Sequence, residues 1–135
     1  MQLRRYTIGY IFQNYVLMEN ETVYTNLLIS KTYNKNFSEE MLKTTLEKVG
    51  LDSTYLNRKV YKLSGGEQQR LAIARVMLKP CEMILADEPT GNLDSLNKKR
   101  ILSLFRQLQS LGKTIVCVTH DKEFADSSDR IIELN

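Results

Sequence analysis

Two short stretches of this chain concentrate the residue types from which phosphate chemistry is built. The first, Leu63-Ser64-Gly65-Gly66-Glu67-Gln68-Gln69-Arg70, sets a hydroxyl, adjacent glycines and an acid side by side. Ser64 followed three residues later by Glu67 is a capping box, which starts many ordinary helices. The cap leaves the glycines unexplained, since each costs on the order of 1 kcal/mol against alanine inside a helix. Bare backbone at a helix start, where N–H groups are unpaired and the dipole is positive, suits an approaching anion. Ser64, Gly65, Gly66 and Glu67 are therefore read as phosphate-binding residues. The second stretch, Ile84-Leu85-Ala86-Asp87-Glu88-Pro89-Thr90-Gly91-Asn92-Leu93-Asp94, ends an apolar run in adjacent carboxylates. Asp87 suits a hydrated Mg²⁺, which takes few carboxylates and completes its shell with phosphate oxygens and water. Glu88 is then placed to polarise an attacking water as general base.

Further candidates are single residues. His120, the only histidine, ends the β-branched run Ile115-Val116-Cys117-Val118-Thr119 and precedes Asp121, a position suited to sensing a terminal phosphate. Gln13 follows the strand-like run Tyr6 to Phe12 and is read as a contact to the metal or the lytic water. Gly112-Lys113-Thr114 spells the end of a phosphate loop, but position 107 is Gln107 where that loop needs glycine. It also lies between a helix and a strand, the reverse of the strand-loop-helix order that aims N–H groups at phosphate. It reads as a helix stop.

Elements must carry these residues to one place. Tyr6 to Phe12 reads as a strand and about Glu21 to Arg58 as a helical insert, with Ser38 as N-cap and Gly50 as stop of its second helix. Ser64 to Leu78 reads as a helix, Met83 to Ala86 as a buried strand, and Ser95 to Leu111 as a helix with Ile101, Leu104, Phe105, Leu108 and Leu111 on one side. Thr114 to Thr119 follows as a strand, Lys122 to Asp126 as a short helix, and Arg130 to Leu134 as a final strand. The alternation predicts an α/β fold with a mostly parallel sheet and chemistry at the carboxyl ends of its strands. Gln13, Asp87, Glu88 and His120 all fall at such ends.

Composition narrows the partners. With 42% hydrophobic and 26% charged residues, the chain has the balance of one domain able to bury a core. Its longest apolar runs fall far short of the roughly 20 residues that cross a bilayer, so a membrane role requires a partner. The net charge of +3 is scattered, without a basic cluster interleaved with aromatics, which gives no support to nucleic-acid binding. Cys81 and Cys117 lack metal or redox spacing and read as core thiols in a reducing compartment.

The octapeptide 63–70 and the run 84–94 together resemble the signature and Walker B motifs of an ABC transporter ATPase. The order of parts is also that family's: a strand ending in Gln13, a helical insert, the signature, Walker B, an Asn92-Leu93-Asp94 D-loop and a His120 switch. Gly9 to Tyr15 and Asp87 to Asp94 most resemble the bacterial branch serving macrolide, lipoprotein and antimicrobial-peptide exporters and the cell-division permease relative. The resemblance implies a P-loop NTPase-like core with an inserted helical subdomain, divided as 1–13, 14–62 and 63–135. It implies ATP and Mg²⁺ as ligands, a second ATPase subunit bound head to tail, and a transmembrane permease subunit, with the chain itself cytoplasmic and peripheral on the cytoplasmic face of the plasma membrane. Gln13, Asp87, Glu88 and His120 would serve the chain's own ATP, while Ser64, Gly65, Gly66, Glu67 and Asp94 would serve the partner's.

The Walker A pattern Gly-x-x-x-x-Gly-Lys-Ser/Thr does not occur in the 135 residues. By family analogy its strand would lie beside Arg130 to Leu134, which would lose a neighbour. Hydrogen bonds to phosphate charge are worth about 1.5–3 kcal/mol each, and about 1.4 kcal/mol is tenfold in affinity. The expectation is that this chain alone neither binds ATP tightly nor hydrolyses it, as the carboxy-terminal part of an exporter ATPase. Three other readings stay open: a non-catalytic partner that lends its signature to a full-length subunit, an ABC ATPase without membrane subunits, and a plain α/β domain.

Overall fold

A computed structural model of the chain describes residues 8–11 and 16–133. The strands are β1 (Ile8–Ile11), β2 (Met83–Asp87) and β3 (Thr114–Val118), all parallel in the order β1-β2-β3. Register aligns Gly9 with Ile84 and Ile115, and Ile11 with Ala86 and Cys117. Because strand side chains alternate faces, these rows share one face. Helices cover it: a Cβ on Gly9 would lie 2.8 Å from Val76 Cγ1, so only glycine lets the overlying helix approach this closely. The opposite face carries Tyr10, Leu85, Val116 and Val118, and Val118 is 57% exposed.

The covering helices are α3 (Gly65–Leu78) and α4 (Ser95–Ser110), with α1 (Val23–Leu28), α2 (Glu39–Lys48) and α5 (Lys122–Asp126) as the others. Ile101, Leu104 and Leu108 of α4 are buried on one face, as their 3.6-residue spacing predicts, whereas α3 is buried on nearly all sides, Leu71 and Ile73 lying on opposite faces. Leu111 is 64% exposed, because it caps α4 beyond the last core-facing turn.

The insert is less continuous than the periodicity predicts, α1 and α2 being joined by a 3-10 segment at Ile29–Tyr33 and followed by two more at Ser53–Tyr55 and Val60–Lys62. Ser38 does cap α2, its hydroxyl accepting from the Met41 N–H. Gly50, at φ +81°, ends α2 in a Schellman motif: its N–H bonds the Glu47 carbonyl and the Leu51 N–H bonds that of Leu46. Two backbone bonds, Val23 N–H to Arg58 O and Val60 N–H to Glu21 O, both 3.0 Å, close the insert where it leaves and rejoins the core.

The expected final strand is not formed over its described residues, 130–133. Arg106 and Gln109 of α4 hold the Asp129 carboxylate, and Arg106 also holds the Ser127 carbonyl. These bonds hold the chain leaving α5 against α4, and over its described residues it does not pair with β3.

Candidate functional site

β2 delivers Asp87 to the carboxyl edge of the sheet, and the chain turns sharply after it. Glu88 has φ +47°, a left-handed backbone held because its N–H bonds the Val118 carbonyl at 2.8 Å. The turn brings its carboxylate to the end of β3. Oε1 accepts from the His120 backbone N–H at 2.8 Å, and Oε2 accepts from the Thr119 hydroxyl at 3.3 Å. The His120 imidazole is 99% exposed, with Nε2 3.7 Å from Glu88 Oε1, so the backbone, not the ring, grips the carboxylate. Asp87 is exposed beside it. One exposed carboxylate at this edge fits a Mg²⁺ that shares its shell with phosphates and water, a donor set with hard oxygens only. Gln13 lies outside the described residues.

Asp121 joins the neighbouring elements. It caps α5, forms a 2.7 Å ion pair with Lys98 of α4, and accepts from the hydroxyl of buried Thr90 at 3.4 Å. The Lys98 bond, with the Phe124 N–H, holds its carboxyl below the usual range.

Ser64, Gly65, Gly66 and Glu67 form a second group at the start of α3. The Ser64 hydroxyl accepts from the Glu67 N–H at 3.1 Å, and a Glu67 carboxylate oxygen accepts from the Ser64 N–H at 2.9 Å, completing the capping box. The other Glu67 oxygen accepts from the Tyr55 hydroxyl at 2.6 Å, and the Arg58 guanidinium lies 4.0 Å from the Tyr55 ring centre. Burial pushes the Glu67 carboxyl up, but the Tyr55 and Ser64 bonds outweigh it and leave it below its ordinary value. Gly65 is exposed at the helix tip, where the first N–H groups of a helix lack intrahelical partners.

Gly66 has a packing role that phosphate chemistry did not suggest: a Cβ there would overlap the Asn97 side-chain amide. Asn97 in turn is held by Asp94, the N-cap of α4, whose Oδ1 accepts from its backbone N–H at 2.8 Å and its side chain at 3.1 Å. The structure thus joins Asp94 to the 64–67 group, and Glu88 to His120.

Sequence reasoning passed over Thr119, Asn97 and Gln69. Gln69 is fully buried and donates from Nε2 to the Pro89 carbonyl. A signal for it was present, since Gln69 falls three, four and seven residues before buried Ala72, Ile73 and Val76.

The family model described as ABC transporter matches residues 1–91. The chain is 46% identical over 135 residues to the macrolide export ATP-binding/permease protein MacB of Mannheimia succiniciproducens, covering 98% of this chain and 21% of that protein. It is 41% identical to the uncharacterised ABC transporter ATP-binding protein YvrO of Bacillus subtilis, covering 97% of this chain and 58% of that one. Among solved structures, a dimeric post-hydrolysis state of the ATP-binding cassette MJ0796 bound to ADP and Pi superposes with a TM-score of 0.74. That match has 38% identity and covers 88% of this chain and 54% of the cassette. The chain thus spans between a fifth and three fifths of the relatives it matches. With the motifs in family order on a parallel sheet shared with these cassettes, the chain belongs to the ABC transporter ATP-binding family.

Proposed function

We propose that this chain is the carboxy-terminal part of an exporter ATPase domain and supplies the hydrolytic edge of one ATP site and the signature of another. The observation that carries the reading is the Glu88 carboxylate fixed at the sheet edge by the His120 N–H and the Thr119 hydroxyl, with Asp87 exposed beside it. Asp87 would hold Mg²⁺, which when bound offsets phosphate charge. Glu88 releases its bond to the Thr119 hydroxyl and takes a proton from the attacking water, while the exposed His120 ring meets the terminal phosphate. Gln13 contacts the metal or that water. Ser64, Gly65, Gly66 and Glu67, with Asp94, face the ATP of a second subunit bound head to tail. The insert at 14–62 meets a permease subunit, and the core at 63–135 lies on the cytoplasmic face of the membrane. Among the described residues no helix is long and apolar enough to cross a membrane. The names of the macrolide-export relatives support an export role.

A second reading is favoured by one feature: Ser64 to Glu67, Asn97 and Asp94 form a complete packed unit without Glu88. The chain would then lend only this unit to a full-length ATPase subunit.

Calorimetry with Mg-ATP separates the readings. The chain alone is expected to bind negligibly, because it lacks the Walker A pattern. Adding a fragment with a related phosphate loop and its strand is expected to restore binding, with hydrolysis that Glu88→Gln abolishes while binding persists. Tight binding by the chain alone overturns the proposal. Hydrolysis that appears only when a related full-length subunit is added, and that is insensitive to Glu88→Gln, favours the signature-lending reading.

A further inference from the structure

Gln69 opens the second turn of α3 and is fully buried. Its Nε2 donates to the Pro89 carbonyl, one residue after Glu88, while its Oε1 is buried with no hydrogen-bond partner among the described residues. The amide cannot be turned round to relieve this, because a proline carbonyl only accepts and so must face the NH₂. A buried amide oxygen without a partner carries a desolvation cost that an apolar side chain of similar volume avoids. Stability alone would therefore be served better by methionine at this position, and the one contact that an amide adds is the grip on Pro89.

That grip has a counterpart at the other end of the same loop. Gly66 packs under Asn97, and Asn97 is held by Asp94. The first turns of α3 thus hold the loop from Glu88 to Asp94 at both ends. Glu88 at φ +47° and Asn92 at φ +63° show that the loop's backbone is bent into left-handed conformations that such clamps must maintain.

We infer that Gln69 is a positioning residue that ties the anion-binding start of α3 to the Glu88 turn, so that occupancy of one ATP site is felt at the other. This rests on the proposed function, which assigns the start of α3 to the partner's ATP and Glu88 to the chain's own. A movement of the helix end on phosphate binding reaches Pro89 through one side-chain amide, and Glu88 is the adjacent residue.

Gln69→Met tests the tie in two ways. In the chain alone, amide exchange of the 88–94 loop is expected to rise about tenfold while α2 is unchanged, with a melting temperature no lower than wild type. In the chain complemented with the phosphate-loop fragment, kcat is expected to fall roughly tenfold or more with the ATP KM within about twofold, the mark of lost positioning and not of lost binding. The Hill coefficient for ATP is expected to fall towards 1. Gln69→Leu likewise removes the donor, and decides by the same measures if the methionine variant does not fold. Unchanged exchange in the chain alone, or unchanged kcat and Hill coefficient in the complemented protein, overturns this inference. A complemented wild type that does not hydrolyse ATP overturns the proposed function and this inference together.

Discussion

Glu88 holds a left-handed backbone at φ +47°, a conformation costing a non-glycine residue about 1–3 kcal/mol, and three bonds to the end of β3 retain it there. The consequence reaches Cys117, which lies behind this edge on β3. Burial, followed by the Glu88 and Asp87 carboxylates, pushes its thiol up to about 12. At pH 8 only about one thiol in ten thousand would be ionised, and the thiolate is the reactive form. In a Cys81→Ser background, alkylation of Cys117 by iodoacetamide at pH 8 is expected to run far below the rate of a free thiol. Replacing both carboxylates, as Asp87→Asn with Glu88→Gln, removes the negative charge that opposes the thiolate, lowers the pKa and speeds alkylation. The rate stays below that of a free thiol because burial, the larger cause, remains. A rate unmoved by the double variant would mean that the carboxylates do not act on Cys117. At this scale the capping box and the placing of Asp87, Glu88 and His120 at strand ends were legible, because they follow from local residue types and spacing. Thr119, Asn97 and Gln69 were not, because their importance lies in contacts between segments up to 31 positions apart.

Helix ends show what local sequence settles. Gly50 and Gly112 have φ +81° and +89°, and each closes a Schellman motif, that of α4 through Gly112 N–H to Gln109 O and Lys113 N–H to Leu108 O. Gly112→Ala meets open space, so only the left-handed backbone is charged against it, about 1 kcal/mol. Gly50→Ala also sets a Cβ 2.7 Å from Arg70 Nη1, which donates to the Val49 carbonyl at 3.2 Å. Chemical denaturation is expected to show the larger loss at Gly50, about 2 kcal/mol if the Arg70 bond is also broken. Equal losses would mean that Arg70 moves aside freely. Both stops were readable, as were α3, α4 and the parallel strands, because period and caps agreed there. The insert and the segment after α5 were read less well, the first because 3-10 turns interrupt its period. The second, Arg130 to Leu134, has strand-like composition, but a strand exists only through a partner's backbone, and Arg106 and Gln109 direct this chain elsewhere.

Across the whole molecule, the sheet is covered unequally. Gly9, Ile11, Ile84 and Ala86 lie beneath helices, while Tyr10, Val116 and Val118 on the other face are 47%, 45% and 57% exposed. Parallel sheets normally have both faces covered, because their backbone and β-branched side chains suit a dry interior. An exposed apolar face of this kind supports the reading that other parts of an ATPase domain pack there, and the chain covers 54% of a matched cassette. The face should therefore bind an environment-sensitive apolar dye in the chain alone. Val116→Lys with Val118→Lys should lower that signal, since charge on an exposed strand opposes association, and shift the melting temperature little, because neither side chain is buried. Adding a fragment that carries the phosphate loop with its strand and the helix that follows should lower the dye signal of the unaltered chain in the same way, the helix covering the face instead of charging it. If the fragment restores ATP binding but leaves the dye signal untouched, its helix packs elsewhere, and the exposed face belongs to a different contact.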